Sequence, residues 1–158
     1  MTKLPVSRSK LCWFMKNLFK KILCPIDFDA NSIAALDAAR DLAVDQNGTV
    51  CVLYLVRLAL AGFPKQLHPY PMTEQAARAR LQDIAREHLE GKVRYEILTR
   101  TGDPASVILS AVEELAVDSV VMATHGRAGL DHLFLGSVAE RVVRESPRPV
   151  LTIRQPAK

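Results

Sequence analysis

The chain has 158 residues, of which 49% are hydrophobic and 24% are charged, and this length suits one domain with a single sizeable core. The net charge of +4 is unevenly placed. Residues 1–21 hold six basic and no acidic residues, which leaves 15 basic against 17 acidic residues in the remainder. This distribution argues against a nucleic-acid-binding surface spread over the domain, and no apolar run approaches the roughly 20 residues of a membrane span.

Residues 1–19 form a basic, partly apolar extension ahead of the domain. Four of its apolar residues can share one helical face: Leu11, Met15, Leu18 and Phe19. One interpretation is a weak contact of residues 1–21 with an anionic membrane surface or a protein; the other is an extension that is frayed or packed on the domain. The stretch lacks the apolar length and cleavage site of a secretory signal. The three cysteines show no CxxC spacing, which favours the reducing cytoplasm.

Strand-like and helix-like segments alternate through residues 20–155, the predicted domain. β-branched and apolar runs predict strands over 21–26, 49–56, 93–98, 119–123 and 149–153. Helices are expected after capping residues at Asp29–Ser32, Thr73 and Asp103, and from Ser137 to about 145. Asn47-Gly48 supplies the end of the first helix. This alternation predicts an α/β fold with a parallel sheet covered by helices on both faces.

Two features follow predicted strands, where open α/β sheets bind their ligands. Asp27 comes after the first strand, and a glycine-bearing stretch, residues 123–137, comes after the fourth. Glycine lets a ligand approach the main chain, and the helix start at Gly136-Ser137 offers free N–H groups and a partial positive charge. With donors nearby, the stretch is suited to phosphate; its glycines and donor side chains are Gly126, Gly129, His125 and Arg127.

Each of these residues also has a purely structural interpretation. Ser137 and Glu140 fit an S-x-x-E capping box, Asp27 can brace the helix that follows it, and loop glycines often serve only as turns. The four histidines and three cysteines show no zinc spacing, and His88 is expected to be solvated in a polar helix segment. The sequence has no Walker A, G-x-G-x-x-G or G-x-S-x-G motif and no dedicated nucleophile is evident, so we expect little or no hydrolysis.

The sequence VMATHGRAGLDHLFLGSVAERVVRESPRPVLTIR at residues 121–154, together with ILCPIDF at 22–28, resembles the universal stress protein family. Nucleotide-binding members of this family carry the frame G-x2-G-x9-G-[S/T]. Here the frame reads Ala123-x2-Gly126-x9-Gly136-Ser137, with alanine in place of the first glycine. The resemblance extends over residues 20–154 and does not include residues 1–19.

This resemblance implies a Rossmann-like three-layer sandwich with a five-stranded parallel sheet in the order 3-2-1-4-5. It implies ATP as the ligand, with AMP and ADP as the alternatives that the sequence leaves open. A bound triphosphate would need Mg²⁺ to balance its charge. The adenosine is expected near Pro25, Asp27 and Val56, and the phosphates near Met122, Gly126, Gly136, Ser137 and Val138. Ala123, His125, Arg127 and Gly129 complete the predicted nucleotide-binding set, which includes no catalytic residue and no metal ligand. The resemblance also implies a homodimer joined through the last strand at Val150, Leu151 and Ile153.

The leading hypothesis from the sequence is therefore a cytoplasmic ATP-binding protein with a regulatory role in the stress response. Ala123 motivates one alternative, a dimeric interaction protein of the same fold that binds no nucleotide. A slow ATPase is the other alternative.

Overall fold

The computed structural model describes residues 17–56, 73–124 and 135–154. Its strands are β1 (Lys21–Ile26), β2 (Thr49–Val56), β3 (Arg94–Thr101), β4 (Ser119–Ala123) and β5 (Val150–Ile153). The helices between them are α1 (Ala30–Asp45), α2 (Glu74–His88), α3 (Pro104–Glu114) and α4 (Ser137–Glu145). The predicted strands and helices are all present, with small differences at their ends.

All five strands are parallel and follow the order β3-β2-β1-β4-β5, which confirms the predicted fold. The largest difference in bounds is at β3, which continues past Leu98 to Thr101, where it pairs with Val56. Its last residues are polar and exposed because β3 lies at the sheet edge. A prediction based on apolar residues alone therefore ends this strand too early.

The sheet has an apolar core on each face. On one face α1 and α2 cover residues such as Ile22 and Val52. On the other, α3 and α4 cover residues such as Leu23 and Leu53. Successive residues of β1 and β2 thus enter opposite cores, which explains why both strands are continuous apolar runs.

Side-chain caps start three of the helices as predicted. Asp29, Thr73 and Asp103 accept hydrogen bonds from main-chain N–H groups in the first turns of α1, α2 and α3. The capping box predicted at Ser137 is wrong. The residue before α4 is Gly136, which has no side chain to cap the helix, and Ser137 is the first helical residue.

The turn between α1 and β2 needs one residue with a left-handed main chain and one residue without a side chain, and two neighbouring residues meet these needs. Asn47 takes the left-handed conformation, with φ of 49°. Gly48 is needed for space, because a Cβ there would lie 2.6 Å from the carbonyl oxygen of Phe19. Phe19 itself packs against the core, so the chain joins the domain at this turn. Residues 1–16 lie outside the described part of the chain.

Candidate functional site

The strand order reverses between β1 and β4. The chain passes from β1 to β2 and β3 on one side, and then crosses to β4 and β5 on the other. In open α/β sheets, ligands bind in the crevice beyond the carboxyl ends of the strands at such a reversal. Asp27 follows β1 and Thr124 follows β4, so both lie at this edge.

Pro25 helps to separate β1 from β4 at their carboxyl ends. The carbonyl of Lys21 accepts the N–H of Asp118 at 2.8 Å, on the β4 side. Main-chain groups of a parallel strand alternate between its two neighbours, so the nitrogen of Pro25 faces β4 as well. Proline has no N–H to donate, and the pairing of β1 with β4 ends at Leu23, opposite Val120. The crevice begins where this pairing stops.

Main-chain hydrogen bonds bring the two ends of the predicted phosphate loop together. The N–H of Thr124 donates to Ile153 in β5 at 3.0 Å, and the carbonyl of Thr124 accepts the N–H of Gly136 at 2.8 Å. The start of α4 is thereby attached to the end of β4. The predicted residues His125, Gly126, Arg127 and Gly129 fall outside the described residues.

The amino terminus of α4 has the properties of an anion site. The first bond within the helix runs from the N–H of Glu140 to the carbonyl of Gly136, so the N–H groups of Ser137, Val138 and Ala139 lack acceptors within the helix. Within the described part of the chain, the hydroxyl of exposed Ser137 has no hydrogen-bond partner. Free N–H groups and the helix dipole favour an anion at this position.

Asp27 braces the start of α1 but leaves acceptor capacity free. Its N–H donates to the hydroxyl of Ser32 at 3.2 Å, and its Oδ1 accepts the N–H of Asp29 at 3.2 Å. Among the described residues its Oδ2 has no hydrogen-bond donor. Asp29, not Asp27, caps the helix. Burial raises the pKa of Asp29 above its usual value, and the nearby charge of Asp27 adds to this effect.

Phe28 has a left-handed main chain, with φ of 67°, which is uncommon for a bulky side chain. Its buried ring stacks on Tyr54, with 4.2 Å between ring centroids, and the guanidinium of Arg80 lies 4.5 Å from its centroid. Packing from β2 and α2 therefore holds a strained residue directly after Asp27, as is common near functional sites. A role for Phe28 was not predictable from the sequence, because only the folded structure reveals its main-chain conformation.

The remaining predicted residues surround this edge at different depths. Val56 ends β2 and is buried in the core beneath α1 and α2, whereas Met122 lies in the core beneath α3 and α4. Ala123 is the last residue of β4, has ordinary extended conformation and pairs with Ile153. The position therefore does not require the left-handed conformations that glycine allows.

The prediction that His88 is solvated is wrong. Its Nδ1 lies 2.9 Å from Oδ1 of Asp37, and its side chain is only 20% exposed. The contact joins α1 to α2. Because Asp37 and His88 are 51 residues apart in the sequence, the pattern of neither helix alone predicts it. The segments that the structure describes contain no group of three or more residues placed to hold a metal ion.

The two described cysteines, Cys24 and Cys51, are buried free thiols. Burial raises the pKa of Cys51 to about 11 and also raises that of Cys24, so neither is poised as a nucleophile. Within residues 17–56, 73–124 and 135–154, no helix has the length and apolar character required to cross a bilayer.

Comparison with known proteins identifies the same fold and family. The family model described as "Universal stress protein family" matches residues 18–154. Universal stress protein MJ0531 from Methanocaldococcus jannaschii is 32% identical over 148 residues, covering 90% of this chain and 86% of the relative. Universal stress protein MJ0577 from the same organism is 26% identical over 160 residues, covering 89% and 98%.

Solved structures agree with the sequence relatives. The structure of MJ0577 superposes with a TM-score of 0.73, covering 89% of this chain and 99% of its own at 26% identity. A universal stress protein family protein from Arabidopsis thaliana, solved with AMP bound, shares the fold with a TM-score of 0.63 at 19% identity, covering 87% and 93%. Because the family model spans the described domain and MJ0531 exceeds 30% identity, this chain belongs to the universal stress protein family.

Proposed function

We propose that this chain binds an adenine nucleotide, ATP in the first instance, as a cytoplasmic regulatory protein of the stress response. The observation that carries the proposal is the start of α4. Its first N–H groups have no acceptor within the helix, and the hydroxyl of Ser137 has no hydrogen-bond partner among the described residues; the bond between Gly136 and Thr124 attaches both to the end of β4. A helix start with these properties at the reversal of strand order supports phosphate binding there.

The adenosine part of the ligand is assigned to the β1 and β2 side of the crevice. Asp27 offers a carboxylate oxygen for ribose hydroxyls, while Pro25 and Val56 supply apolar surface. The AMP bound to the Arabidopsis protein of the same fold supports adenine as the base. On the phosphate side we assign Met122, Ala123, Gly136, Ser137 and Val138, completed by the loop residues His125, Gly126, Arg127 and Gly129.

We further propose that nucleotide occupancy, rather than turnover, is the output of the protein. The sequence supplies no Walker A motif and no evident nucleophile, and phosphoryl transfer depends on positioned charge clamps. A triphosphate would carry Mg²⁺ to balance its charge. Phosphate release faster than about 1 s⁻¹, the low end of ordinary turnover, would instead make the protein an ATPase.

Isothermal titration of the full chain with ATP and Mg²⁺ tests the proposal. We expect saturable heat with ATP, weaker binding of adenosine because the phosphate contacts are missing, and weaker binding of GTP because the base differs. Mass spectrometry of ligand released from the purified, denatured protein identifies the nucleotide it retains. If millimolar ATP produces neither heat nor a thermal shift, the proposal is wrong.

We also propose a homodimer joined through β5. This strand lies at the edge of the described sheet, and Leu151 is 39% exposed there, close to half-buried Val150 and Ile153. An apolar edge strand is a template for pairing with another chain unless it is covered. Sedimentation should show a dimer for the natural chain and a monomer for Leu151→Lys. If the natural chain forms a dimer but does not bind ATP, the alternative function is favoured: a dimeric interaction protein of the same fold that binds no nucleotide.

A further inference from the structure

Arg141, in the second turn of α4, uses its whole guanidinium fork in a network of hydrogen bonds. Nη1 donates to Oδ2 of Asp103 at 2.8 Å, Nη2 to the hydroxyl of Ser106 at 3.1 Å, and Nε to Oε2 of Glu145 at 3.2 Å. The same Asp103 oxygen accepts the N–H and the hydroxyl of Ser106. Three partners in fixed directions define the position of the fork, which a lysine ammonium could not match.

The network links elements from both sides of the reversal in strand order. Asp103 caps α3, directly after the carboxyl end of β3, whereas Arg141 belongs to the helix that follows β4. The β1 to β3 side of the sheet is thereby joined to the β4 to β5 side. This link lies at the same end of the sheet as the start of α4.

Among the described residues, α4 packs on the core through a short apolar face. The helix has nine residues, of which Ala139 and Val142 are buried and Val138 is partly buried, and no side chain in the described segments caps its start. Gly136 holds one end through its bond to Thr124. Arg141 lies four residues after Ser137, and helical side chains lean toward the amino terminus, so its contacts act beside the first turn.

We propose that Arg141 is a positioning residue that orients the first turn of α4 toward the phosphates of the nucleotide. The inference rests on the proposed nucleotide function, and it names Arg141 as a residue that raises the affinity of that site for phosphate. Arg141 acts through the N–H groups of Ser137 and Val138, because its own fork is occupied by Asp103, Ser106 and Glu145. Loss of the network lets the helix start reorient, which weakens phosphate binding and leaves the adenosine side unchanged.

Three variants of the full chain test this, with affinities for ATP with Mg²⁺ and for adenosine measured by titration. Arg141→Gln should weaken ATP binding by about tenfold, the size of a typical coupling between contacting groups, and leave adenosine affinity unchanged. Arg141→Lys should not restore ATP affinity, because it keeps the charge but not the fork. Asp103→Asn retains a good helix cap and should weaken ATP binding in the same direction.

Arg100→Gln is the matched control, since it removes another half-exposed arginine that pairs with Glu114 on α3. It should leave both affinities unchanged. Hydrogen exchange of the free protein supplies a readout without ligand: amides of α4 should exchange faster in Arg141→Gln, and those of α1 should not.

The outcomes separate this inference from the proposed function. If the natural chain binds ATP and Arg141→Gln binds equally well, or loses ATP and adenosine affinity alike, the inference alone is overturned. Tighter ATP binding by Asp103→Asn would mean that a released Arg141 contacts phosphate itself, which also overturns the positioning role. If the natural chain binds no ATP, the proposed function and the inference are overturned together.

Discussion

The main-chain N–H of Gly136 donates to the carbonyl of Thr124 at 2.8 Å. This bond joins the residue after β4 to the residue before α4, so the helix start has a fixed place at the carboxyl edge of the sheet. Because Gly136 occupies the capping position and Ser137 the first helical position, the Ser137 hydroxyl is not used to cap the helix. Among the described residues nothing else bonds to this hydroxyl, so the Gly136-Ser137 pair can offer it to a ligand together with the first N–H groups of α4.

Ser137→Ala should weaken ATP binding by about tenfold, the value of a hydrogen bond to a charged group. Adenosine affinity should not change, because the lost hydroxyl faces phosphate. Stability should hardly change either, since alanine is a good helix former. Titration measures both affinities, and Ser110→Ala is the control, because it removes an exposed hydroxyl that donates to Glu114 on α3. Equal ATP affinity in the two variants would remove Ser137 from the phosphate site.

Asp27→Asn should weaken ATP and adenosine by the same factor, about tenfold for a charged hydrogen bond to the ribose. Asparagine keeps an Oδ1 that can accept the N–H of Asp29, so the start of α1 should survive. The same titrations check the prediction, with Asp45→Asn at the exposed end of α1 as the control. A loss confined to ATP would place Asp27 on the phosphate or metal side of the ligand.

Phe28→Gly should be more stable than Phe28→Ala by about 1 kcal/mol, although it removes more of the side chain, because only glycine adopts a positive φ without strain. Both variants lose the stack on Tyr54 and the contact with Arg80, so Phe28→Ala should be about 4 kcal/mol and Phe28→Gly about 3 kcal/mol less stable than the natural chain. Urea unfolding measures these differences. Phe19 is the control position, because its φ is not positive; there the alanine variant should be at least as stable as the glycine variant. If the alanine variant is also the more stable one at position 28, the main chain of Phe28 is not strained.

The individual strands and helices were predictable from the sequence because their signals are local. Asp29 and Asp103 cap the first turns that immediately follow them, and apolar runs mark strands that are buried on both faces. The strand order and the assignment of nucleotide residues came instead from resemblance to a family, since no local pattern states which strands are neighbours.

Contacts between distant residues were not predictable. The contact of His88 with Asp37 spans 51 positions and that of Arg141 with Asp103 spans 38, and nothing in a single helix indicates either partner. The capping-box error at Ser137 has the same origin. An S-x-x-E pattern fits a helix that begins one residue later, whereas the tertiary bond of Gly136 to Thr124 sets the actual beginning.

Asp103→Asn should cost stability at neutral pH and cost progressively less in acid. Hydrogen bonds from the Ser106 hydroxyl and N–H, with the charge of Arg141, hold the pKa of Asp103 below its usual value. The ionised carboxylate therefore favours the folded state, and its advantage over asparagine is complete above the ordinary carboxyl pKa of about 4. The advantage disappears as the pH falls through the lowered pKa of the folded state.

Urea unfolding of both proteins from about pH 7 to about pH 2 covers this window. In an Arg141→Gln background the pH-dependent part of the gap should shrink, because one cause of the lowered pKa is gone. A gap that stays constant with pH would show that asparagine disturbs the cap itself and not its charge.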